Sequence, residues 1–219
     1  MDKLSYAKEL FASRQNSENA AEMSRYMKNL FPFYGIPAPG RKELFKDFIK
    51  HEKASKTIDW AFLYSLYEDE HREAQYLVYD LLLAMKKYAV WEDIDKIRFF
   101  IMNKSWWDTT DFLCKVIGDI GLRDERTGGL MLAWSAEENI WIKRTAILFQ
   151  LAYKSKTDTA LLEKIITGCL GSGEFFVNKA IGWALREYSK TDGEWVRTFL
   201  ARYGERMSAL SVKESGKYI

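Results

Sequence analysis

Residues 103–111 read NKSWWDTTD, and within them Trp107 and Asp111 stand four positions apart. Side chains four apart on a helix share a face, so an aromatic ring would lie beside a carboxylate. The ring is electron-rich on its π-face and the acid on its oxygens, and together they suit a positively charged partner. Trp106 and Trp107, by contrast, would point about 100° apart on a helix and could not both enter one core. A second aromatic of interest is Trp183 in KAIGWALREY, with Lys179 at i−4 and Arg186 and Glu187 at i+3 and i+4. The apolar stripe of that segment, Ile181, Ala184, Leu185 and Tyr188, lies elsewhere on the wheel. Arg144, in WIKRTAILFQ, is a basic residue inside an otherwise apolar stretch.

Each of these has a plainer explanation. Trp107 could pack in the core, with Asp111 capping a helix or pairing with Lys104 or Lys115. Trp183 could be a core residue at the edge of its stripe. Arg144 could be a solvated edge residue or half of an ion pair. Asp108 reads as an N-cap or first-turn acid, which the helix macrodipole explains.

Other chemistries are poorly supplied. His51 and His71 stand in polar surroundings with no partner at ligand spacing, and no Cys/His pattern for a metal occurs. No phosphate-loop motif is present; the glycine-rich GCLGSG at 168–173 reads as a turn between helices. No serine–histidine trio is visible. Neither metal nor cofactor is expected.

The elements that must position these residues are helical. All three prolines fall within PFYGIPAPG at 32–40, and the rest of the 219 residues is free of them. Apolar spacing predicts helices over 18–30, with Met23, Tyr26, Met27 and Leu30 on one stripe, and over 40–50, with Leu44, Phe45, Phe48 and Ile49 together. It predicts long helices over 72–87, 139–154 and 174–190, and shorter ones near 57–67, 91–102, 108–122, 124–135, 157–169, 192–203 and 208–217. About twelve helices result, with no strand alternation and no sustained heptad. WIKRTAILFQLAYKSK and FVNKAIGWALREYSKT echo one another, and Tyr153 and Tyr188 lie about 35 residues apart, near the length of a two-helix repeat. An all-α solenoid in one domain over 1–219 is the expectation, with a concave inner face for an extended partner.

Composition agrees with a folded chain: 47% hydrophobic, 15% aromatic and 29% charged residues. No run of about 18 apolar residues predicts a membrane span, and the polar start MDKLSYAKELFASRQNSENA carries no signal pattern. Cys114 and Cys169 read as free thiols, as in a cytoplasmic protein, with a disulfide between them as the alternative. The net charge of +2 permits a local basic face without announcing one.

Four stretches, MSRYMKNLFPFYGIPAPGRKEL, KSWWDTTD, NIWIKRTAILFQL and EFFVNKAIGWALREY, resemble the AlkD family of DNA alkylation-repair glycosylases, in the family's order and over nearly the whole chain. The resemblance implies a HEAT-like helical-repeat fold with a concave DNA-binding face. It implies a monofunctional glycosylase that acts on duplex DNA and excises cationic purines such as 3-methyladenine and 7-methylguanine without rotating the base out; with no exposed heptad or apolar edge in the sequence, a monomer is expected. Carried onto this chain, the catalytic aspartate is Asp111, its aromatic partners Trp107 and Trp183, a backbone-contacting arginine Arg144, and the N-terminal motif tyrosine Tyr26. Further phosphate contacts are expected from Lys28, Arg41, Lys104, Lys179, Arg186 and Lys213. An Asp111→Asn change is expected to cost activity while leaving folding nearly intact. The competing expectation is a non-catalytic helical-repeat scaffold for DNA or for a protein.

Overall fold

The computed structural model describes residues 2–218, and every regular element among them is helical: fourteen α-helices and five short 3₁₀ turns. The chain divides into two compact units, the first ending at Ala89 and the second beginning at Val90.

The first unit holds α1 (Lys3–Ser13), α2 (Ser17–Tyr26), α3 (Ala38–Leu44), α4 (Lys46–Ala54), α5 (Trp60–Tyr67) and α6 (Arg72–Met85). Asp2, Asn16 and Asp59 each accept a backbone N–H at the start of α1, α2 and α5, satisfying donors that a helix leaves orphaned. Helix α6 is the core element, buried over most of its length, and α4 and α5 pack against it. The proline-rich loop is tied to α6 by one side chain. Glu73, fully buried, accepts the N–H groups of Tyr34, Gly35 and Ile36 at 3.0, 2.8 and 2.9 Å. Gly35 sits at φ +87°, and a Cβ there would lie 1.9 Å from the backbone oxygen of Asn16. Left-handed backbone and a backbone neighbour that cannot swing aside both demand glycine. Gly35→Ala is predicted to destabilise the protein by about 3 kcal/mol or more, read as a lowered denaturant midpoint; an unchanged midpoint would refute the constraint.

Two sequence expectations fail in this unit, and one helix arises where none was expected. The stripe predicted over 18–30 does not form one helix: α2 ends at Tyr26, the chain turns through Lys28 and Asn29 at φ +57° and +56°, and Tyr26 and Leu30 stay exposed. Only Met27 of that stripe is buried. The helix predicted over 40–50 is two, broken at Phe45, whose ring is fully buried while its backbone bends at φ −101°, ψ 7°. Helix α1 was not anticipated, because only Ala7 and Phe11 are buried in a mostly polar segment.

The second unit is a helical repeat. One row of helices is α7 (Ile94–Met102), α9 (Arg126–Trp134), α11 (Thr159–Gly168) and α13 (Gly193–Tyr203). The other is α8 (Trp107–Gly121), α10 (Ile140–Leu148), α12 (Phe175–Ser189) and α14 (Ala209–Ser215). Successive starts lie 32, 33 and 34 residues apart in the first row and 33, 35 and 34 in the second. The 35-residue echo in the sequence is therefore the spacing of α10 and α12. Neighbours in the second row pack on one another, α8 on α10, α10 on α12 and α12 on α14. The helix predicted over 139–154 stops at Leu148, and the chain continues as turns into a 3₁₀ segment at Lys154–Lys156. GCLGSG is an interhelix connection, as its composition indicates, running from the end of α11 towards α12.

Candidate functional site

The two tryptophans of NKSWWDTTD take different roles because the helix begins between them. Trp106 is the N-cap of α8, extended at φ −160°, ψ 167°, and Trp107 is the first helical residue. The extended backbone turns the Trp106 ring onto its neighbours, 5.6 Å from Trp141 and 5.0 Å from Phe176. Trp107 is left half-buried at the edge of a cavity of about 350 Å³. Asp108 lies in the first turn of α8, as expected, but is buried rather than solvated.

Eight residues line this cavity. Trp107 and Asp111 come from α8 and Arg144 from α10; Phe175, Phe176, Lys179, Trp183 and Arg186 come from α12. The 3.6-residue period places them: 107 and 111 share one face of α8, and 175, 176, 179, 183 and 186 follow one side of α12. Trp107 and Asp111 of α8 and Trp183 of α12, remote in sequence, thus line one cavity, with α10 and its Arg144 between them. Phe175 and Phe176 were not anticipated. The signal was available, since two adjacent phenylalanines at a helix start cannot both enter the core, and Phe175 is 58% exposed.

The electrostatic centre is an ion pair. Arg144 Nε donates to Asp111 Oδ1 at 2.7 Å, and Nη2 donates to Oδ2 at 2.9 Å. The third donor, Nη1, is taken by the Phe176 carbonyl at 2.7 Å. This fork holds both oxygens in one plane, which only arginine does. The Arg144 side chain is 4% exposed and that of Asp111 14%, so the carboxylate is the member that still faces the cavity. Arg144 also stands 6.0 Å from the ring centroids of Phe176 and Trp183. Burial pushes the Asp111 carboxyl above its ordinary value, while Arg144 and then Lys115 pull it down and Asp108 adds to the rise. Cys114 lies directly below, its thiol 3.2 Å from the Asp111 carbonyl and pushed up to about 12 by burial, so it offers no thiolate nucleophile.

Lys179 and Arg186 are joined outside the cavity by a residue of α14. Glu214 pairs with Lys179 Nζ at 2.8 Å, with Arg186 Nη1, and with Lys217 Nζ at 3.0 Å. The hydrogen bond from Lys179, then that from Lys217, holds the Glu214 carboxyl down at about 2.

The remaining expected DNA contacts do not line this cavity. Lys104 is half-buried in the turn before Trp106, at φ +47°. Lys213 is exposed on α14. Tyr26, 73% exposed, and Lys28, exposed, belong to the first unit. Arg41 is a correction. Its guanidinium is buried, with Nε on Asp80 at 3.0 Å, Nη2 on the Tyr79 hydroxyl at 2.9 Å, and the Tyr76 ring at 4.6 Å. A side chain so enclosed braces α3 against α6 and presents no charge to a phosphate.

Among the described residues no cluster of three His, Cys, Asp or Glu could hold a metal ion, and no helix is long and apolar enough to cross a membrane. Cys114 and Cys169 are free and buried.

No curated protein matches the chain. A solved structure described as a predicted DNA alkylation repair enzyme from Enterococcus faecalis matches with a TM-score of 0.86 and 34% identity. The match covers 94% of this chain and 97% of that one. The family model for the DNA alkylation repair enzyme matches residues 7–219, and with nearly the whole length accounted for, the chain belongs to the DNA alkylation repair enzyme family.

Proposed function

We propose that this protein is a monofunctional DNA glycosylase that hydrolyses the N-glycosidic bond of cationic N3- and N7-alkylated purines in duplex DNA. Family membership supports an enzyme of DNA repair with DNA as its partner. The observation that carries the finer reading is the cavity in which Asp111, flanked by Trp107 and Trp183, is the sole carboxylate among the lining residues.

An N-alkylated purine is already a cationic leaving group and needs no general acid. As the bond to deoxyribose breaks, positive charge moves onto the sugar as an oxocarbenium-like ion. One fixed carboxylate stabilises that charge and orients the attacking water. Asp111 suits this: Arg144 occupies one lone pair on each oxygen, and the others remain for substrate and water. The faces of Trp107 and Trp183 favour a cation by about 0.5–2 kcal/mol each when water is excluded, and a neutral purine gains far less. An acid–base pair of carboxylates is absent from the lining, and the chemistry does not call for one. A lyase route through an imine requires an amine free to attack the sugar, whereas Lys179, the lysine at the cavity, is engaged by Glu214 at 2.8 Å. Single-domain action along the concave face of a HEAT-like solenoid, without base rotation, completes the reading.

The test is single-turnover release of 7-methylguanine from a methylated duplex with the enzyme in excess. Release leaving an intact abasic strand, with no borohydride-trapped adduct, is expected. Duplex binding without release would replace the reading by a non-catalytic DNA-binding repeat protein.

A further inference from the structure

The proposed site contains a conflict of charge. A cavity meant for a cationic base is lined by three cations, Arg144, Lys179 and Arg186, against one carboxylate. Arg144 is spent on Asp111 and on the Phe176 carbonyl. Lys179 and Arg186 remain, with side chains 37% and 21% exposed, and both would repel a cation or fold onto Asp111 if left without a counter-charge.

Glu214 supplies that counter-charge from outside the cavity, and the fold goes to some length to place it. Residues 179, 182, 183 and 186 share a side of α12, and position 182 is glycine. A Cβ at Gly182 would lie 2.5 Å from the Glu214 Cβ and 2.9 Å from the Ser211 carbonyl oxygen. The missing side chain is thus the notch into which α14 settles. Ser211 locks the contact by donating its hydroxyl to the Asn178 carbonyl at 2.7 Å. Glu214 then lies between Lys179, one turn before the notch, and Arg186, one turn after it. It is 5% exposed, and its charge is shared with Lys217. The local balance is three cations against one carboxylate, a net +2.

We infer that Glu214 is a positioning and specificity-determining residue of this site: it draws Lys179 and Arg186 away from Asp111 and offsets their charge, so that the cavity admits a cationic base while binding undamaged DNA less tightly. The inference rests on the glycosylase reading for its excision half only. Its signature separates it from a structural role, because loss of fold weakens binding and activity together, whereas loss of the counter-charge moves them in opposite directions.

The experiment uses the full chain, a salt titration of binding to an undamaged duplex, and single-turnover release of 7-methylguanine at saturating enzyme. Glu214→Gln raises the local charge from +2 to +3 by removing one negative charge from the group. Undamaged duplex should bind about three- to tenfold more tightly near 0.1 M salt, with log K against log salt steeper by about one unit. Excision should slow by about tenfold. The double variant Glu214→Gln/Arg186→Gln restores the balance of +2 and should return the salt slope to that of the wild type. Weaker or unchanged binding by Glu214→Gln, or unchanged excision, overturns the inference. Should the single variant fail to fold, the double decides: a wild-type slope supports the counter-charge role, and a slope shallower by about one unit refutes it. A wild type that excises nothing refutes the glycosylase reading instead, and the salt titration then decides on Glu214 alone.

Discussion

Replacing Asp111 by Asn lowers the single-turnover rate of methylpurine release by about 10²–10³-fold at saturating enzyme, the loss expected when one preorganised electrostatic contact to a transition state is removed. Asn keeps the shape and one acceptor oxygen but carries no charge to set against the developing oxocarbenium ion. The residual rate is that of a cationic leaving group in a water-poor aromatic site, and it stays above the rate in free DNA. Sequence alone suggested that this change would leave folding almost untouched. The ion pair alters that expectation: Arg144, 4% exposed, loses the carboxylate that neutralises it and keeps only the Phe176 carbonyl as an unchanged partner. A destabilisation of about 1–3 kcal/mol should accompany the loss of rate, short of the full cost of a broken buried pair because the amide oxygen still accepts one bond. Rates must therefore be measured below the melting transition of the variant. Release at the wild-type rate by folded Asp111→Asn would remove Asp111 from the chemistry.

What the sequence reveals here is governed by distance along the chain. The helical class and the repeat of about 35 residues are local properties of spacing, and the structure bears them out; Trp106 and Trp107 part for another reason, the start of α8 between them. Local spacing also misled where it continued through a break. Phe45 extends the apolar stripe of 40–50 without a fault, yet the chain breaks there between two helices, and the ring is buried against Phe11 of α1. Arg41 looked like a surface cation because its partners are remote: Tyr79 and Asp80 lie 38 and 39 residues away. Asp111 and Arg144 are 33 residues apart, one repeat, and only the stacking of α8 on α10 makes them a pair. Glu214 was invisible for the same reason. Its role depends on Gly182, and a glycine inside a helical pattern announces a close approach without naming what approaches.

Arg144→Met is expected to have the second large effect, and pH separates its parts. The change removes the charge and both hydrogen bonds that hold the Asp111 carboxylate while keeping an apolar stem of similar length. Breaking a buried pair from one side costs about 3–5 kcal/mol, because the remaining charge stays desolvated. Burial already holds the Asp111 carboxyl above its ordinary value of 3.8, and Arg144 is the chief influence pulling it back. Without Arg144 the carboxyl rises further, and the sign of each consequence follows. The anion is the active form, so the rate falls as pH drops through the raised value, and the acid limb of the rate profile shifts to higher pH in the variant. Stability moves the other way. A carboxyl whose folded value exceeds its unfolded one binds more protons when folded, so stability declines as pH rises through that interval. The stability deficit of Arg144→Met is therefore greatest above the raised value and shrinks as Asp111 takes up a proton at lower pH. A rate profile and a denaturation series on the same variant test both halves. An acid limb that stays in place while the rate falls uniformly would mean that Arg144 acts on DNA and not through Asp111. A shift of the limb, with the stability deficit shrinking over the same interval, would place its effect on the carboxylate.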